Sequence, residues 1–179
     1  SFNYLDEGDH SILVRGRYAS GTEEEYPDTL EFEVDAIQGP SLRVHHLFTE
    51  VNNMDVFTID IMAEQVDALA GAGITLTYPS NRMLRTEDPI IGTFFDDNIS
   101  DILYFFSEEE SAGETTLQLD IATLGQQFVS GTGIIATLTF QATSVGNFEL
   151  QFDNNTTLRN ALNDEIEYEQ LVNGLIKVQ

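Results

Sequence analysis

The residues best suited to acid–base or metal chemistry in this sequence are its three histidines. His10 stands alone, and His45 and His46 are adjacent. None of them lies beside a cysteine, which the sequence lacks, or beside a G-x-S-x-G nucleophile motif. Neighbouring residues of a strand point to opposite faces, so we expect the rings of His45 and His46 to face apart and not to share a metal. Acidic residues are too abundant for any carboxylate pair to stand out. The sequence therefore predicts no catalytic residue and no enzyme.

An oxygen-rich cluster is the second candidate site. Asp96, Asp97 and Asp101 lie close together in a segment rich in turn-forming residues. Carboxylate oxygens are the ligands that Ca²⁺ prefers, although the spacing does not match an EF-hand loop. Asp and Asn also favour ordinary turns, because they hydrogen-bond to their own backbone. The cluster is therefore a candidate calcium site or a solvated turn, and no other cofactor is expected.

Two aromatic runs form the third candidate. Residues 94–95 are Phe-Phe and residues 104–106 are Tyr-Phe-Phe, so strand alternation turns some of these rings outward. An exposed ring beside acidic residues is suited to contact a protein or a sugar. The alternative is burial under loops or under the first 35 residues. The absence of tryptophan speaks against a sugar-binding surface.

The elements that carry these candidates are β-strands. Apolar and polar residues alternate in short blocks that are separated by Gly, Asn, Asp and Pro, and the block of Phe57, Ile59 and Ile61 is an example. Short helical turns are predicted near residues 79–84 and 157–162. The pattern is typical of an all-β sandwich or barrel. The predicted strands are residues 11–18, 30–34, 42–47, 56–63, 72–78, 102–107, 116–122, 134–142, 147–152 and 171–178.

The chain is predicted to divide near a Gly39-Pro40 step. Residues 1–38 hold only a β-hairpin and a linker, and residues 39–179 form a separate domain. Fewer than about 40 residues rarely bury an independent core. The first strands are therefore expected to pack on the second domain, to be the severed end of an upstream domain, or to pair between two chains. Pairing would give a strand-exchanged dimer through residues 1–35.

The charge of the chain limits its partners. There are 31 acidic and seven basic residues among 179, for a formal charge of −24. Such a surface repels phosphate backbones and anionic lipid, so nucleic acid and membrane surfaces are not expected as partners. The sequence contains no run of about 20 apolar residues, so membrane insertion is not predicted. The acidity has three open explanations: solubility of an extracellular protein, adaptation to salt, or binding of calcium or a basic partner.

The larger part of the chain resembles the cohesin family of bacteria, including its non-cellulosomal members. The resemblance is carried by FTIDI at 57–61, VDALAGAGITLTY at 66–78, SGTGIIATLTF at 130–140 and NGLIKV at 173–178, in the order of the family. It implies an all-β jelly-roll sandwich of about nine strands, related in shape to carbohydrate-binding modules. Cohesins bind calcium-loaded dockerin modules. EGDHSILVR at 7–15 and FEVD at 32–35 resemble the C-terminal strands of an Ig-like or fibronectin-type repeat.

The resemblance implies a non-catalytic protein-interaction module on the outside of the cell or at its surface, with a dockerin-type partner. The partner-binding surface is expected on the sheet of residues 72–78, 102–107 and 116–122. Gly71 and Gly73 stand where the family has polar contact residues, so a standard dockerin would meet fewer side chains. The alternatives are a carbohydrate-binding module of a secreted polysaccharide-active or adhesin-like protein, whose partner is a polysaccharide, and a spacer without a ligand. The candidate outward contacts are Thr75, Thr77, Tyr104, Glu108, Gln118 and Asp120.

Overall fold

The computed structural model of the chain describes residues 8–96 and 101–179, and only the backbone of residue 96. The chain divides into two compact units between Ile37 and Gln38. In the first unit β1 (Gly8–Val14) pairs antiparallel with β2 (Asp28–Val34). A two-stranded hairpin is marginally stable by itself in water. Its membership of an Ig-like domain, and the exchange of strands between chains, stay predictions.

The second unit is built almost entirely from strands. Its described residues contain 13 strands in one hydrogen-bonded network and the single-turn helix α1 (Thr93–Asp96). The strands are β3 (Ser41–His45), β4 (Phe48–Val51), β5 (Val56–Pro79), β6 (Met83–Arg85), β7 (Ile90–Ile91), β8 (Ile102–Ser111), β9 (Glu114–Thr123), β10 (Val129–Ala142), β11 (Gly146–Phe152), β12 (Thr157–Asn160), β13 (Glu165–Ile166), β14 (Gln170–Val172) and β15 (Gly174–Val178).

Strand β5 belongs to both layers of a β-sandwich. Its first part lies between β3 and β10, with β14 beyond β3 and with β6 and β7 beyond β10. Its second part pairs with β9 on one side and with β11 and β12 on the other. We call this second layer the β9 sheet; it continues to β8 at one edge and through β15 to β4 at the other. Gln65 and Ala68, which have positive φ values, lie where β5 passes from one layer to the other. β10 remains paired with β5 in this region, with shifts in register.

Alternating apolar side chains of the two layers form one core. Ile59 and Ile61 in the first part of β5, Ile74 and Leu76 in the second part, and Leu119 in β9 are all buried. Burial of apolar surface at about 25 cal/mol per Å² is the main stabilising contribution of such a core. The predicted all-β sandwich is confirmed.

Three details of the predicted strand pattern are wrong. Residues 56–63 and 72–78 belong to one strand of 24 residues, because the segment between them continues to pair with β10 and β9. Residues 157–160 form β12 and not a helical turn, because pairing with β5 outweighs local preference. Residues 171–178 divide at Asn173 into β14 and β15, which pair parallel with β3 and β4 in different layers. The strands outnumber the nine expected because several are very short.

Candidate functional site

The face of the β9 sheet that points away from the core carries the candidate site, and we call it the outer face. In β5, Ala72, Ile74 and Leu76 point into the core, so Gly71, Gly73, Thr75 and Thr77 lie on the outer face. The register of β9 is regular beside this segment. Opposite these outer positions, β9 presents Ala122, Asp120, Gln118 and Thr116.

Two glycines leave a depression at one end of the outer face. It has a volume of about 360 Å³, and Gly71 and Gly73 are among its lining residues. Leu103 and Phe105 of β8 line one side, and Arg159 of β12 lines the other. The side chains of Leu103 and Phe105 are 45% and 63% exposed. The depression is therefore open to solvent and has an apolar wall.

Glycine keeps this depression open. A Cβ atom at Gly73 would lie 3.2 Å from Asp120 Oδ1 and 3.2 Å from Thr157 Oγ1, and one at Gly71 would lie 3.3 Å from the carbonyl oxygen of Ile121. The Gly73 contacts are the ends of side chains that can move. A side chain at position 73 is therefore tolerated by the backbone but occupies the space.

Carboxylates gather at the opposite end of the outer face, which we call the acidic end. Glu114 faces Pro79 at the end of β5, and Glu109 is opposite Thr116. Glu149 of β11 lines a shallow cavity of about 200 Å³ together with Glu114. The outer face thus changes from apolar at the depression to acidic about seven residues further along β5.

Four of the six predicted contacts lie together between these ends. Thr75 is opposite Gln118, and Thr77 is two residues further along the same face. The side-chain amide of Gln118 donates a hydrogen bond to Asp120 Oδ2 at 3.0 Å. Gln118 and Asp120 are exposed, whereas the two threonines are half-buried. Their role in binding a partner stays a prediction.

Tyr104 and Glu108 are exposed but do not share the outer face with the other four predicted contacts, and their role in binding a partner stays a prediction. Tyr104 is opposite Ile121 and Glu108 is opposite Leu117, and both of these partners point into the core. These two residues and Phe106 therefore lie on the other face of the edge strand β8, whereas Phe105 and Ser107 face outward. Strand alternation could have separated these residues from the outward ones. Tyr104 and Glu108 are each an odd number of residues from Phe105, so they lie on the opposite face of the strand.

Glu108 forms hydrogen bonds that join β8 to β6 of the other layer and to the end of β5. Its carboxylate accepts hydrogen bonds from the Tyr78 hydroxyl at 2.7 Å and from Arg85 Nε at 2.7 Å and Nη2 at 2.8 Å. Burial alone would raise the pKa of Glu108, but the hydrogen bonds from Arg85 and Tyr78 bring it below its ordinary value. Burial, and then the Glu108 carboxylate, raise the pKa of Tyr78. The Arg85 guanidinium also lies 4.9 Å from the centre of the Phe106 ring.

Similarity to solved structures, and not to known sequences, assigns the fold of the chain. No protein-family profile and no curated sequence matches the chain. A type II cohesin from Bacteroides cellulosolvens is 16% identical with a TM-score of 0.66, over 78% of this chain and 99% of that chain. A non-cellulosomal cohesin from the archaeon Archaeoglobus fulgidus is 14% identical with a TM-score of 0.61, over 80% and 92%. The second unit has the cohesin fold.

A third similar structure contains a partner. It is a type I cohesin–dockerin complex from Clostridium thermocellum, 14% identical with a TM-score of 0.62, over 84% of this chain and 99% of that chain. At 14% sequence identity, this comparison shows a similar fold and no more. The resemblance to cohesins predicted from the sequence is confirmed at the level of fold.

The two adjacent histidines lie at the end of β3, in the layer that does not carry the outer face. The rings of His45 and His46 are 4.0 Å apart, so the expectation that they face apart is wrong. The reason is that β3 ends at His45, and strand alternation does not extend to the next residue. Burial, and then the neighbouring Arg43, lower the pKa of His45. Arg43 Nη1 lies 2.7 Å from its Nδ1.

The predicted calcium cluster falls largely outside the described residues. Asp97 and the side chain of Asp96 are not among the described residues. Asp101 is described, and its backbone carbonyl accepts a hydrogen bond from the Leu124 amide at 2.9 Å. Within residues 8–96 and 101–179, no group of three or more His, Asp or Glu side chains is arranged to hold a metal ion.

The aromatic runs divide between the core and the surface. Phe95 is fully buried and Phe94 nearly so, whereas Phe105 is 63% exposed on the outer face. The expectation that alternation turns some of these rings outward is confirmed. Among the helices of the described residues, none has the length and apolar character that crossing a membrane requires.

Proposed function

We propose that residues 38–179 form a non-catalytic, extracellular or cell-surface interaction module, and that its outer face binds a dockerin-type protein partner. The observation that carries this proposal is the depression at Gly71 and Gly73 with the exposed Leu103 and Phe105 beside it. Aromatic side chains at a depression are typical of the residues that dominate binding energy in protein interfaces.

The surroundings of the depression also support a protein partner. Thr75, Thr77 and Gln118 give a polar surface, and the acidic end lies at its border. Protein interfaces combine apolar surface with polar, charged surface, and this face offers both, with the apolar part at one end. The Clostridium thermocellum structure is a cohesin in complex with a dockerin, which supports the choice of partner class.

A non-catalytic role agrees with the chemistry of the outer face. Covalent catalysis requires a nucleophile activated by an adjacent base or by a lowered pKa. The threonines of the outer face lie in the β9 sheet, while His45 belongs to β3 in the other layer. The proposal therefore assigns recognition, and no reaction, to this surface.

The direct test is titration of the full chain with purified dockerin modules encoded in the same genome, by isothermal calorimetry in the presence of calcium. We expect at least one dockerin to bind with Kd below about 100 μM, which corresponds to roughly −5.5 kcal/mol. Phe105→Ala should weaken that binding by about 30-fold, the effect of losing about 2 kcal/mol at an aromatic contact that dominates binding.

The matched control is Leu84→Ala, since Leu84 is also exposed but lies on β6 in the other layer. Its affinity should equal that of the unchanged chain. A complete panel without binding would contradict the dockerin-type partner. Retention of the chain on insoluble polysaccharide, lost in Phe105→Ala, would favour the carbohydrate-binding alternative in its place.

A further inference from the structure

The depression has the size and lining to receive one side chain rather than an extended ligand. Its volume of about 360 Å³ is near the lower end of the range of about 300–1,000 Å³ that is common for ligand sites. Leu103 and Phe105 provide an apolar wall, and Ala122 and the two glycines line the space beside them. Thr75, the next outward residue of the strand, is not among the residues that line it. The space is thus confined to the end of the outer face.

The charge of the outer face is distributed unequally around this depression. Asp120 and Arg159 both line the depression and offset each other in charge, whereas Glu109, Glu114 and Glu149 lie at the acidic end without a basic residue among them. The two ends are about seven residues apart along β5, which is about 23 Å at roughly 3.3 Å per residue. A partner that covers both ends therefore needs an apolar group at one point and positive charge at the other.

We propose that the depression is a socket for one large apolar side chain of the partner, and that the acidic end pairs with lysine or arginine side chains of the same partner about 23 Å away. This inference rests on the proposed function, because it names the chemistry of the partner for the same outer face. Gly71 and Gly73 have no side chains to contact the partner. The space that they leave open instead receives a side chain of the partner.

The socket can be tested without knowledge of the partner. The probes are N-acetyl-phenylalaninamide, N-acetyl-leucinamide, N-acetyl-lysinamide and cellobiose, each titrated into the ¹⁵N-labelled full chain and followed by NMR. The two apolar amides should shift the amide signals of Gly71, Gly73 and Ala122 with Kd on the order of 1 mM, as expected for probes of this size. N-acetyl-lysinamide should instead shift the signals of Glu114 and Glu149.

Filling the socket should remove the effect of the apolar probes. Gly73→Tyr places a ring in the depression and should weaken the binding of N-acetyl-phenylalaninamide at least tenfold. Ala122→Phe fills the same space from the exposed face of β9 and serves as a second variant that leaves both glycines in place. Thr58→Tyr is the matched control, since Thr58 is exposed on the same strand β5 but in the other layer. It should bind the probe unchanged.

The outcomes separate this inference from the proposed function. Apolar probes that shift Gly71 and Gly73, and fail to do so in both filled variants, support the socket even if no dockerin binds the chain. A dockerin that binds with equal affinity to the unchanged chain and to both filled variants would overturn the socket and leave the proposed function intact. Absence of any shift at Gly71 and Gly73 by the apolar amides, or a shift by cellobiose alone, would also overturn it.

Discussion

The two parts of strand β5 have similar inner faces and very different outer faces. In the first part, Met62 and Arg43 lie opposite each other on the outward side and are buried. Arg43 forms an ion pair with Glu64, and Asp60 accepts a hydrogen bond from the Thr137 hydroxyl at 2.6 Å. In the second part, the outward positions are glycines and threonines beside an open depression. Side chains of the first surface bind one another in buried contacts, whereas the second surface is more open, and we propose that a partner binds there.

This difference indicates where stability and function reside. Side chains that bind one another hold the strands in register, and their loss costs folding free energy. Small or exposed side chains contribute little to folding, so their types are free to serve recognition. The following experiments test that division, from the largest expected effect to the smallest.

The inner faces of both parts should contribute alike. Ile59→Ala and Ile74→Ala each remove a side chain that is 1% exposed or less. Each should lower the free energy of unfolding by about 2–5 kcal/mol, through lost burial and the cavity that remains. Urea denaturation followed by circular dichroism measures this. A cost below about 1 kcal/mol for only one of them would show that the core does not continue along β5.

The outward ion pair of the first part should be the most costly outer contact to remove. Arg43→Ala leaves the Glu64 carboxylate without its partner in a site where both side chains are almost covered, at 11% and 13% exposure. Removal of one member of a buried pair costs about 3–5 kcal/mol, and the remaining exposure reduces this to about 2–4 kcal/mol. The same denaturation measurement applies. Equal stability of Arg43→Ala and the unchanged chain would remove the contrast between the two surfaces.

The bond that holds β8 should depend on pH. Glu108→Gln should lower the free energy of unfolding at pH 7 by about 1–2 kcal/mol, since it weakens hydrogen bonds between charged groups. The folded pKa of Glu108 lies below its ordinary value of 4.5, so its stabilisation is present above that pH and is lost as the pH falls through the folded value.

The difference in unfolding free energy between the unchanged chain and Glu108→Gln should therefore shrink between pH 7 and pH 3. Repulsion among the other carboxylates affects both chains equally and cancels in this difference. A difference that stays constant over the range would contradict the role assigned to Glu108.

Outward positions of the second part should be nearly neutral for folding. Thr75→Ala and Gln118→Ala should change the free energy of unfolding by no more than about 0.5 kcal/mol. The same variants should weaken a bound dockerin measurably by calorimetry. Loss of stability without loss of binding would reverse the division proposed between the two surfaces.

The exposed ion pair at the far edge of the β9 sheet should contribute least. Lys177 Nζ lies 2.8 Å from Glu50 Oε1, and both side chains are more than 40% exposed. Lys177→Ala should therefore cost at most about 0.5 kcal/mol. Denaturation at low and high salt provides the measurement, and a cost above about 1.5 kcal/mol at either salt would contradict this interpretation.

Local alternation predicted much of the fold and part of the site. The inward positions of Ile59, Ile74 and Leu119 follow from the period of two, because that period is a property of the strand itself. Short pairing strands such as β12 were not predictable, since their partners in β5 are more than 80 residues away in the sequence. Glu108 was misplaced because its role comes from Arg85 and Tyr78, which other strands bring to it.

The sequence by itself determined the class of the protein: an acidic, cysteine-free, all-β chain with cohesin-like strands in order. It also determined that Gly71 and Gly73 have no side chains to offer. Only the tertiary structure decided that these glycines form the floor of a depression, because its walls come from β8 and β12. Composition and alternation are local properties of the chain, whereas a cavity exists only between strands that long-range pairing brings together.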